Sequence, residues 1–345
     1  MKFWFERGAW VSPKAQKKFK DISPEDIKSI AIIRHAALGD MILTRAFIGE
    51  ARKFFPNASI TLSVVSNYRF GVPEDMVDRV HIAIGSDQRH VPKREQLRVA
   101  KELGYHDIFF DMCVSSRSIL LGLVNKSKFK VSYPYRNWQR IFYDACVFRS
   151  DMQFEAETLL DMLRLFGASP QSPPDFKLSI SNKNLELKHS KPYIVYFTSA
   201  SISNKCWPVE SFAALIKQLA LQHADYDHII LEGLADWESV SPLLELISSD
   251  GDKENVNIQK AMSLDDTLTL LQGAAVVVCN DTGIRNLAIC CTTPTVGIFF
   301  STVPYRYWPR YGQHEAVFQA NGSMPAVDSV LMVTNKIIKN QSVSL

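Results

Sequence analysis

Two blocks of the sequence alternate short apolar runs with segments of helical periodicity, and this alternation constrains the fold more than any other feature. Alternating strand and helix patterns are typical of βαβ units, which form parallel sheets covered by helices. In the first block the predicted strands are Ser29 to Arg34, Ser59 to Val65, Arg79 to Ile84, Asp107 to Asp111 and Phe129 to Tyr133. In the second block they are Tyr193 to Thr198, His228 to Glu232, Ala274 to Asn280 and Thr295 to Phe299. The pattern therefore predicts an α/β protein with two Rossmann-like halves.

A short segment rich in proline divides the two blocks. Ala168 to Pro174 contains three prolines within seven residues, and proline interrupts both helices and strands. A chain of 345 residues is also long enough for about two domains of ~150 residues each. We therefore predict one domain over residues 1–174 and another over residues 175–345, with parallel sheets facing each other across a cleft. The last helix is a candidate to pack back on the first domain.

Composition and charge exclude several classes of protein. The hydrophobic fraction of 46% is ordinary for a globular chain, and the net charge of +3 is too small to indicate nucleic-acid binding. The first residues lack the apolar core of a secretory signal, and no run reaches the ~18 apolar residues of a membrane span. The six cysteines include no C-x-x-C pair. The sequence thus predicts a cytoplasmic protein with reduced thiols and no zinc site.

The turn after the apolar run from Ala274 to Cys279 is the strongest candidate for a ligand site. Asn280-Asp281-Thr282-Gly283 places a carboxylate, a hydroxyl and a glycine where the amides of the next helix are still unpaired. Ligands in open α/β sheets bind outside the carboxyl ends of the strands, and a helix N-terminus suits a phosphate. The same residues could instead cap the helix without a ligand. Both interpretations of this turn stay open.

Two further strand ends carry polar residues of the same kind. In the first half, Gly39 permits a close backbone approach, and a helix is predicted to begin immediately after Asp40. An ionised carboxylate at a helix start is a candidate general base, and a helix cap is the competing interpretation. In the second half, hydroxyls and one lysine occupy the loop after the first strand, at Thr198, Ser199, Ser201, Ser203 and Lys205. This loop suits contacts to phosphate, with Lys205 as a point charge.

Together these blocks resemble glycosyltransferase family 9, the ADP-heptose:lipopolysaccharide heptosyltransferases, which have the GT-B fold. The resemblance rests on Ile-Ile-Arg-x-x-Ala-Leu-Gly-Asp at 32–40, Lys-x-Trp-Pro at 205–208, and Asn-Asp-Thr-Gly followed by Leu-Ala, Thr-Pro-Thr-Val and Phe-Phe at 280–300. It implies an inverting, metal-independent transferase without a cofactor. The first domain would bind a lipopolysaccharide core or another glycolipid acceptor, and the second would bind a nucleotide-sugar donor.

The resemblance also implies roles for individual residues. Asp40 matches the catalytic base that removes a proton from the acceptor hydroxyl, and Lys205 matches the lysine that contacts the donor diphosphate. Asp281 matches a residue near the donor sugar. The other residues implied in donor binding are Gly39, Thr198, Ser199, Glu232, Glu238, Thr282, Gly283 and Asn286. Among these, Thr282 and Gly283 match the turn that binds the phosphates, and the segment from Glu232 to Glu238 lies where the family contacts the nucleoside.

Asn286 departs from the family pattern Gly-x-x-His-Leu-Ala, because it stands where that pattern has a histidine. Asparagine can hydrogen-bond a sugar or a phosphate but cannot carry a positive charge. Three alternatives therefore stay open: an ADP-heptose donor, another donor used in capsule or glycoprotein assembly, and a nucleotide-sugar-binding homologue without turnover. Asp225-Tyr226-Asp227 resembles the metal motif of other glycosyltransferases, but it precedes its strand, and we interpret it as a solvated turn.

A basic and aromatic stretch runs from Lys126 to Arg149. Its six cations are interleaved with phenylalanine, tyrosine and tryptophan side chains. This composition is compatible with an anionic glycolipid or with a membrane surface. RNA is less favoured, because no RNA-binding module accompanies the stretch. Peripheral contact with the cytoplasmic face of the inner membrane is therefore an open expectation, and no nucleic-acid partner is predicted.

Overall fold

The computed structural model describes residues 10–20, 22–133, 136–178, 191–248 and 254–342, and the chain divides into two compact units. The first unit ends at Lys177 and the second begins at Leu178, three residues beyond the predicted boundary. The Arg45 guanidinium holds the end of the first unit, because it donates to the carbonyl oxygens of Phe176 at 2.9 Å and Lys177 at 2.6 Å. Residues 168–178 contain no helix or strand.

The first unit contains a seven-stranded sheet. In chain order its strands are β1 (Trp10–Val11), β2 (Ser29–Ile33), β3 (Ser59–Val65), β4 (Arg79–Ala83), β5 (His106–Asp111), β6 (Ser127–Ser132) and β7 (Ala145–Cys146). The order across the sheet is β1-β7-β6-β5-β2-β3-β4. The two-residue edge strand β1 pairs antiparallel with β7, and the other described pairings are parallel. The central strands are buried on both faces, which is why they read as continuous apolar runs.

The helices of the first unit connect these strands. They are α1 (Pro13–Lys20), α2 (Leu38–Phe54), α3 (Lys93–Lys101), α4 (Ser116–Val124) and α5 (Glu155–Arg164), with a 3-10 helix at Asn137–Phe142. The longest, α2, packs against α5 and buries Met41 and Phe47. No helix in the described ranges of the chain, in either unit, is long and apolar enough to cross a membrane.

The second unit repeats the plan with a parallel six-stranded sheet. Its strands are β8 (Tyr193–Phe197), β9 (Asp227–Leu231), β10 (Val256–Gln259), β11 (Val276–Asn280), β12 (Thr295–Ile298) and β13 (His314–Val317), in the order β10-β9-β8-β11-β12-β13. Its helices are α6 (Val209–Gln222), α7 (Ser241–Ser248), α8 (Leu264–Gly273), α9 (Gly283–Cys290) and α10 (Val327–Ser342). The last helix, α10, packs against α6 and against β11, β12 and β13 of its own unit.

Each sheet reverses its strand order at one point. In the first sheet the chain moves from β2 to β3 and β4 on one side and from β5 to β6 and β7 on the other. In the second sheet β8 leads to β9 and β10, whereas β11 leads to β12 and β13. The loops after the two central strands separate at such a switch point and leave a crevice at the carboxyl edge of the sheet. Candidate site residues are therefore expected after β2, β5, β8 and β11.

Edge elements are where the structure differs from the sequence prediction. Strands β1, β7, β10 and β13 and helix α4 were not predicted. Strands β1 and β7 have only two residues each, and β10 is partly or fully exposed along its length. None of these three strands therefore presents the longer buried apolar run by which a strand is recognised in a sequence. Every strand that was predicted is present, with ends that differ by no more than two residues.

Candidate active site

Asp40 lies in the first turn of α2, after the carboxyl end of β2 and beside the switch point of the first sheet. The helix begins at Leu38, so Asp40 is its third residue, and Ala37 precedes the helix in an extended conformation. The prediction that the helix starts after Asp40, at Met41, was therefore wrong by three residues. The earlier start places the carboxylate near unpaired backbone amides, where a negative charge is favoured. The side chain is 30% exposed, so a ligand can reach it.

Arg34, the last residue before the turn, supports Asp40 from inside the unit. Its guanidinium is 2% exposed and lies 3.4 Å from the Asp40 carboxylate. It also donates to the Asp40 carbonyl oxygen at 3.2 Å and to the Met112 carbonyl oxygen at 3.0 Å. A guanidinium with several fixed acceptors cannot rotate freely. Arg34 therefore fixes both the backbone and the carboxylate of Asp40.

Glu155 in α5 supplies the negative charge that compensates the buried Arg34 guanidinium. Its carboxylate is fully buried, and it accepts hydrogen bonds from Arg34 at 3.2 Å and from Arg149 at 2.9 Å. Arg149 also lies over the Tyr133 ring at 4.9 Å. A buried cation is stable only when it is paired and hydrogen-bonded. No local sequence pattern signals this contact, because Glu155 lies 121 positions after Arg34.

Replacing Glu155 with glutamine is expected to destabilise the first unit. The change leaves the buried Arg34 guanidinium and the partly buried Arg149 guanidinium without their shared carboxylate, and breaking a buried ion pair costs roughly 3 kcal/mol. The matched control is Glu157→Gln in the same helix, where the partner Arg164 is 36% exposed. An exposed pair contributes about 1 kcal/mol or less. Urea unfolding of both variants measures the difference, and equal losses would contradict the supporting role of Glu155.

His35 lies next to Arg34 but is a poor candidate for the base. Burial, together with the charges of Arg117 and His81, lowers the pKa of His35 to about 3. Its Nε2 is 3.4 Å from the Ser63 hydroxyl, and its Nδ1 has no hydrogen-bond partner within the described ranges. An imidazole with so low a pKa is neutral near pH 7 and accepts a proton weakly. Asp40 is therefore the better base in this turn.

Lys205 and Asp281 meet at the switch point of the second sheet. Lys205 belongs to a 3-10 turn at Ser203–Lys205 after β8, and Asp281 is the residue that follows β11. The Lys205 ammonium lies 2.6 Å from the Asp281 carboxylate, which also accepts a hydrogen bond from the Thr302 hydroxyl at 2.8 Å. The Lys205 and Asp281 side chains are 19% and 11% exposed, so this pair is accessible at one side. An anion that approaches here meets a lysine already fixed by a carboxylate.

Asn280 ties together the two loops that carry this pair. Its side chain is fully buried, accepts from the Trp207 amide at 3.0 Å and donates to the Thr198 carbonyl oxygen at 2.7 Å. Trp207 is anchored further by its indole N–H, which donates to the Pro325 carbonyl oxygen at 3.0 Å. Because Trp207 comes two residues after Lys205, Asn280 sets the position of the lysine. The sequence showed Asn280 in the turn, but gave no indication of these partners.

The predicted phosphate-binding residues of the second unit lie in the same two loops as Lys205 and Asp281, after β8 and β11. Thr282 precedes α9 in an extended conformation, and its side chain does not cap the helix. The first amides of α9, beginning at Gly283, therefore keep their capacity to donate to an anion. Thr198 and Ser199 are partly exposed in the loop after β8. Gly39 alone among the predicted donor residues lies in the first unit, where it is buried in the first turn of α2.

Arg285 and Asn286 point to different environments. Arg285 is 1% exposed, lies over the Phe299 ring at 5.2 Å and donates to the carbonyl oxygens of Tyr307 and Glu315. It packs directly on Gly297, where any Cβ would overlap its guanidinium. Arg285 is thus a packing residue that does not line the site. Asn286 is 5% exposed and lies one turn beyond Gly283, so the two share a face of α9.

The acidic residues after β9 have local partners. The Glu238 carboxylate accepts a hydrogen bond from the Ala235 amide at 3.0 Å and covers Gly233. Glu232 lies 3.0 Å from the ammonium of the exposed Lys260. Between them, Trp237 is 76% exposed, which is unusual for so large an aromatic side chain. Trp237 was not among the predicted site residues, although an aromatic residue in a turn after an inner strand is itself a signal.

Within the part of the chain that is described, no three His, Cys, Asp or Glu side chains cluster as metal ligands. Asp227 is the first residue of β9, and Asp225 precedes it, at the amino end of the strand. Asp281 follows the carboxyl end of its strand. The acidic pair and Asp281 are therefore at opposite edges of the parallel sheet.

Comparison with known proteins decides the family. Residues 96–335 match the model of glycosyltransferase family 9 (heptosyltransferase), which is more than half of the chain. The chain belongs to this family. It is therefore a glycosyltransferase, as the sequence motifs predicted. The matched range contains the Lys205 and Asp281 segments and begins after the Asp40 turn.

Two curated relatives match over most of their length. Lipopolysaccharide heptosyltransferase 1 of Campylobacter coli is 23% identical over 296 residues, which cover 80% of this chain and 85% of the relative. Lipopolysaccharide core heptosyltransferase OpsX of Haemophilus influenzae is 21% identical over 292 residues and 82% of each chain. Both relatives are named as lipopolysaccharide heptosyltransferases.

The fold matches the solved structure of a heptosyltransferase. E. coli heptosyltransferase WaaC with ADP superimposes with a TM-score of 0.71 at 18% identity, covering 90% of this chain and 99% of WaaC. The match spans both α/β units. The predicted GT-B fold is therefore confirmed.

Proposed function

We propose that this family 9 enzyme transfers a heptose, or a closely related sugar, from ADP-heptose to a lipopolysaccharide core acceptor. The observation that carries the proposal is the Lys205–Asp281 pair beside the uncapped start of α9. A lysine and free helix amides at a switch point suit a diphosphate. The relatives support the identity of the substrates, since two are named lipopolysaccharide heptosyltransferases and WaaC was solved with ADP.

In the proposed reaction the first unit binds the acceptor and the second binds the donor. Asp40 takes the proton of the acceptor hydroxyl while that oxygen forms a bond to the anomeric carbon. The bond from this carbon to the diphosphate oxygen breaks on the opposite face, so the configuration inverts and ADP leaves with the bonding electrons. Arg34 supports this step by holding Asp40 in one orientation.

Charge on the leaving diphosphate grows as its bond to the sugar breaks. Lys205 and the first amides of α9 are positioned to stabilise this charge, and such contacts lower the barrier because they strengthen in the transition state. We propose that these groups take the part that a divalent metal plays in other transferases. Thr198, Ser199, Thr282 and Gly283 would complete the phosphate contacts.

The remaining donor contacts are assigned by position. Asn286 shares a face of α9 with Gly283 and would hydrogen-bond the donor sugar or a phosphate through its amide. Glu232, Glu238 and the exposed ring of Trp237 lie after β9, next to the β8 loop, where they would meet the nucleoside. We propose that the reaction takes place in the cytoplasm, since the described cysteines form no disulfide, as expected in a reducing compartment.

The proposal is tested by a thermal-shift screen of ADP-, GDP-, UDP- and CMP-linked sugars, followed by transfer assays with a heptose-deficient lipopolysaccharide core. We expect stabilisation by ADP and ADP-heptose, about 2.7 kcal/mol at 100 times the dissociation constant. We also expect a core product heavier by one heptose. Stabilisation by none of the nucleotides, or transfer from another nucleotide sugar in place of ADP-heptose, would overturn the assignment.

A second candidate is transfer of another sugar in capsule or glycoprotein assembly. Asn286 favours this candidate, because a neutral amide in place of histidine changes the charge at the start of α9. ADP would bind in both cases if only the sugar differs, so the transfer assays, which identify the sugar added to the acceptor, separate the two candidates. Asn286→His is then informative: it would raise the rate with ADP-heptose only if the asparagine selects against this sugar.

A further inference from the structure

Two short helices of the first unit expose large apolar side chains. Leu120 and Leu123 in α4 are 40% and 60% exposed, and Trp138 and Ile141 in the 3-10 helix Asn137–Phe142 are 53% and 78% exposed. Within each helix the two residues are three positions apart, so they lie on the same side. The opposite side of α4 is buried through Ser118, Leu121 and Gly122.

These two helices lie on one face of the first sheet. Helix α4 connects β5 to β6, and the 3-10 helix connects β6 to β7, which is the next strand in the same direction. Parallel crossovers are right-handed, so successive crossovers in one direction are on the same face. The helices contact each other. We call the surface that carries Leu120, Leu123, Trp138 and Ile141 the α4 face.

Basic residues are concentrated in the segment that forms this face. From Met112 to Tyr143 the chain has six Lys or Arg residues and no Asp or Glu, a net charge of +6. Since the whole chain has a net charge of +3, the rest of it carries 3 − 6 = −3. Lys126, Lys128 and Arg136 are exposed. The Lys130 ammonium is directed elsewhere, because it donates to the Gly122 carbonyl oxygen.

We propose that the α4 face docks on an anionic lipid bilayer. Exposed leucine, isoleucine and tryptophan side chains bury favourably in the boundary between headgroups and acyl chains, and tryptophan is enriched at that depth. Lysine and arginine beside them bind anionic headgroups electrostatically. A single-stranded nucleic acid would need aromatic stacking along a basic groove, whereas three of the four exposed side chains here are aliphatic. Docking goes beyond the proposed transfer, because it requires neither a donor nor catalysis.

Docking is tested by flotation of the purified protein with phosphatidylcholine vesicles that contain or lack 30% phosphatidylglycerol. We expect the protein to float with the anionic vesicles only. Lys126→Gln with Lys128→Gln is expected to weaken this binding by about 30-fold, from ~1 kcal/mol per cation. The matched control is Lys336→Gln with Lys339→Gln on α10, which changes the net charge equally and should bind as the parent does.

A second double substitution, with its own control, tests the apolar part of the α4 face. Leu123→Ser with Ile141→Ser is expected to lower vesicle binding at least tenfold, whereas Leu221→Ser with Met332→Ser, which are 68% and 67% exposed in the second unit, should not. Retained stabilisation of all four double variants by ADP confirms that they are folded and separates failure of docking from failure of the proposed function. If the variants of the α4 face bound vesicles as tightly as their control variants, the proposal would be overturned.

Insertion depth gives an independent readout. Brominated anionic lipids should quench the parent fluorescence, and Trp138→Phe should remove that quenching, whereas Trp237→Phe should not. Both indoles are exposed, but only Trp138 lies on the α4 face. Quenching that survives in Trp138→Phe would contradict docking by this face. Binding of RNA in place of vesicles, lost in the Lys126 and Lys128 variant, would also overturn the proposal.

Discussion

Asp40→Asn is expected to lower the rate of sugar transfer about 10³-fold and to leave ADP affinity within twofold of the parent. A positioned general base typically contributes between roughly 10²- and 10⁴-fold, and asparagine cannot accept the proton. The fold should be retained, because the Arg34 guanidinium keeps the Asp40 carbonyl oxygen and the Glu155 carboxylate as partners. The measurements are initial rates with saturating donor and acceptor, and ADP titration by calorimetry.

The control for this substitution is another carboxylate in the first turn of a helix. Asp328 has that position in α10 and is exposed. Asp328→Asn removes the same charge from the same kind of helix end, so it reports the effect of the helix dipole on stability alone. It should transfer sugar at the parent rate. A rate for Asp40→Asn within tenfold of the parent would contradict the role of Asp40 as base.

The sequence predicted the sheets and the turns at their carboxyl edges, because both depend on local patterns. Central strands are buried on both faces, so their apolar runs are visible without knowledge of the neighbours. The switch-point turns contain Asp40, Lys205 and Asp281, and the structure places each of them at the carboxyl edge of its sheet. What the sequence could not predict are the elements with weak local signals, such as the two-residue strands β1 and β7.

The supporting contacts of the candidate site were also beyond sequence reasoning. Glu155 reaches Arg34 across 121 positions, and Asn280 reaches the Trp207 amide across 73. Such partners are chosen by the three-dimensional packing, and no periodicity or spacing encodes them. Arg285 illustrates the converse, since it is polar and next to Asn286 but packs on Gly297 inside the unit. The position of a residue in a motif therefore predicted the turn or helix in which it lies, but not whether its side chain faces the site or the interior of the unit.

Lys205→Ala is expected to weaken ADP binding by about 30- to 100-fold and to lower the transfer rate further. A hydrogen bond to a charged group contributes roughly 1.5–3 kcal/mol, and removal of the ammonium also leaves the Asp281 carboxylate facing the diphosphate without its cation. Lys205→Arg keeps the charge and should recover part of the affinity. Thr302, the second donor to Asp281, stays in place in both variants. ADP titration by calorimetry compares the two substitutions.

Asp281→Asn distinguishes a direct role of Lys205 from a merely structural ion pair. If the lysine binds the diphosphate, loss of the opposing carboxylate should leave ADP affinity unchanged or raise it severalfold, because repulsion of the phosphates is removed. If the pair only holds the β8 and β11 loops together, Asp281→Asn should weaken ADP binding as much as Lys205→Ala does, since either change breaks the 2.6 Å contact. A loss of ADP affinity in Lys205→Ala without a loss in Asp281→Asn is therefore the expected result, and equal losses would assign the pair to loop packing.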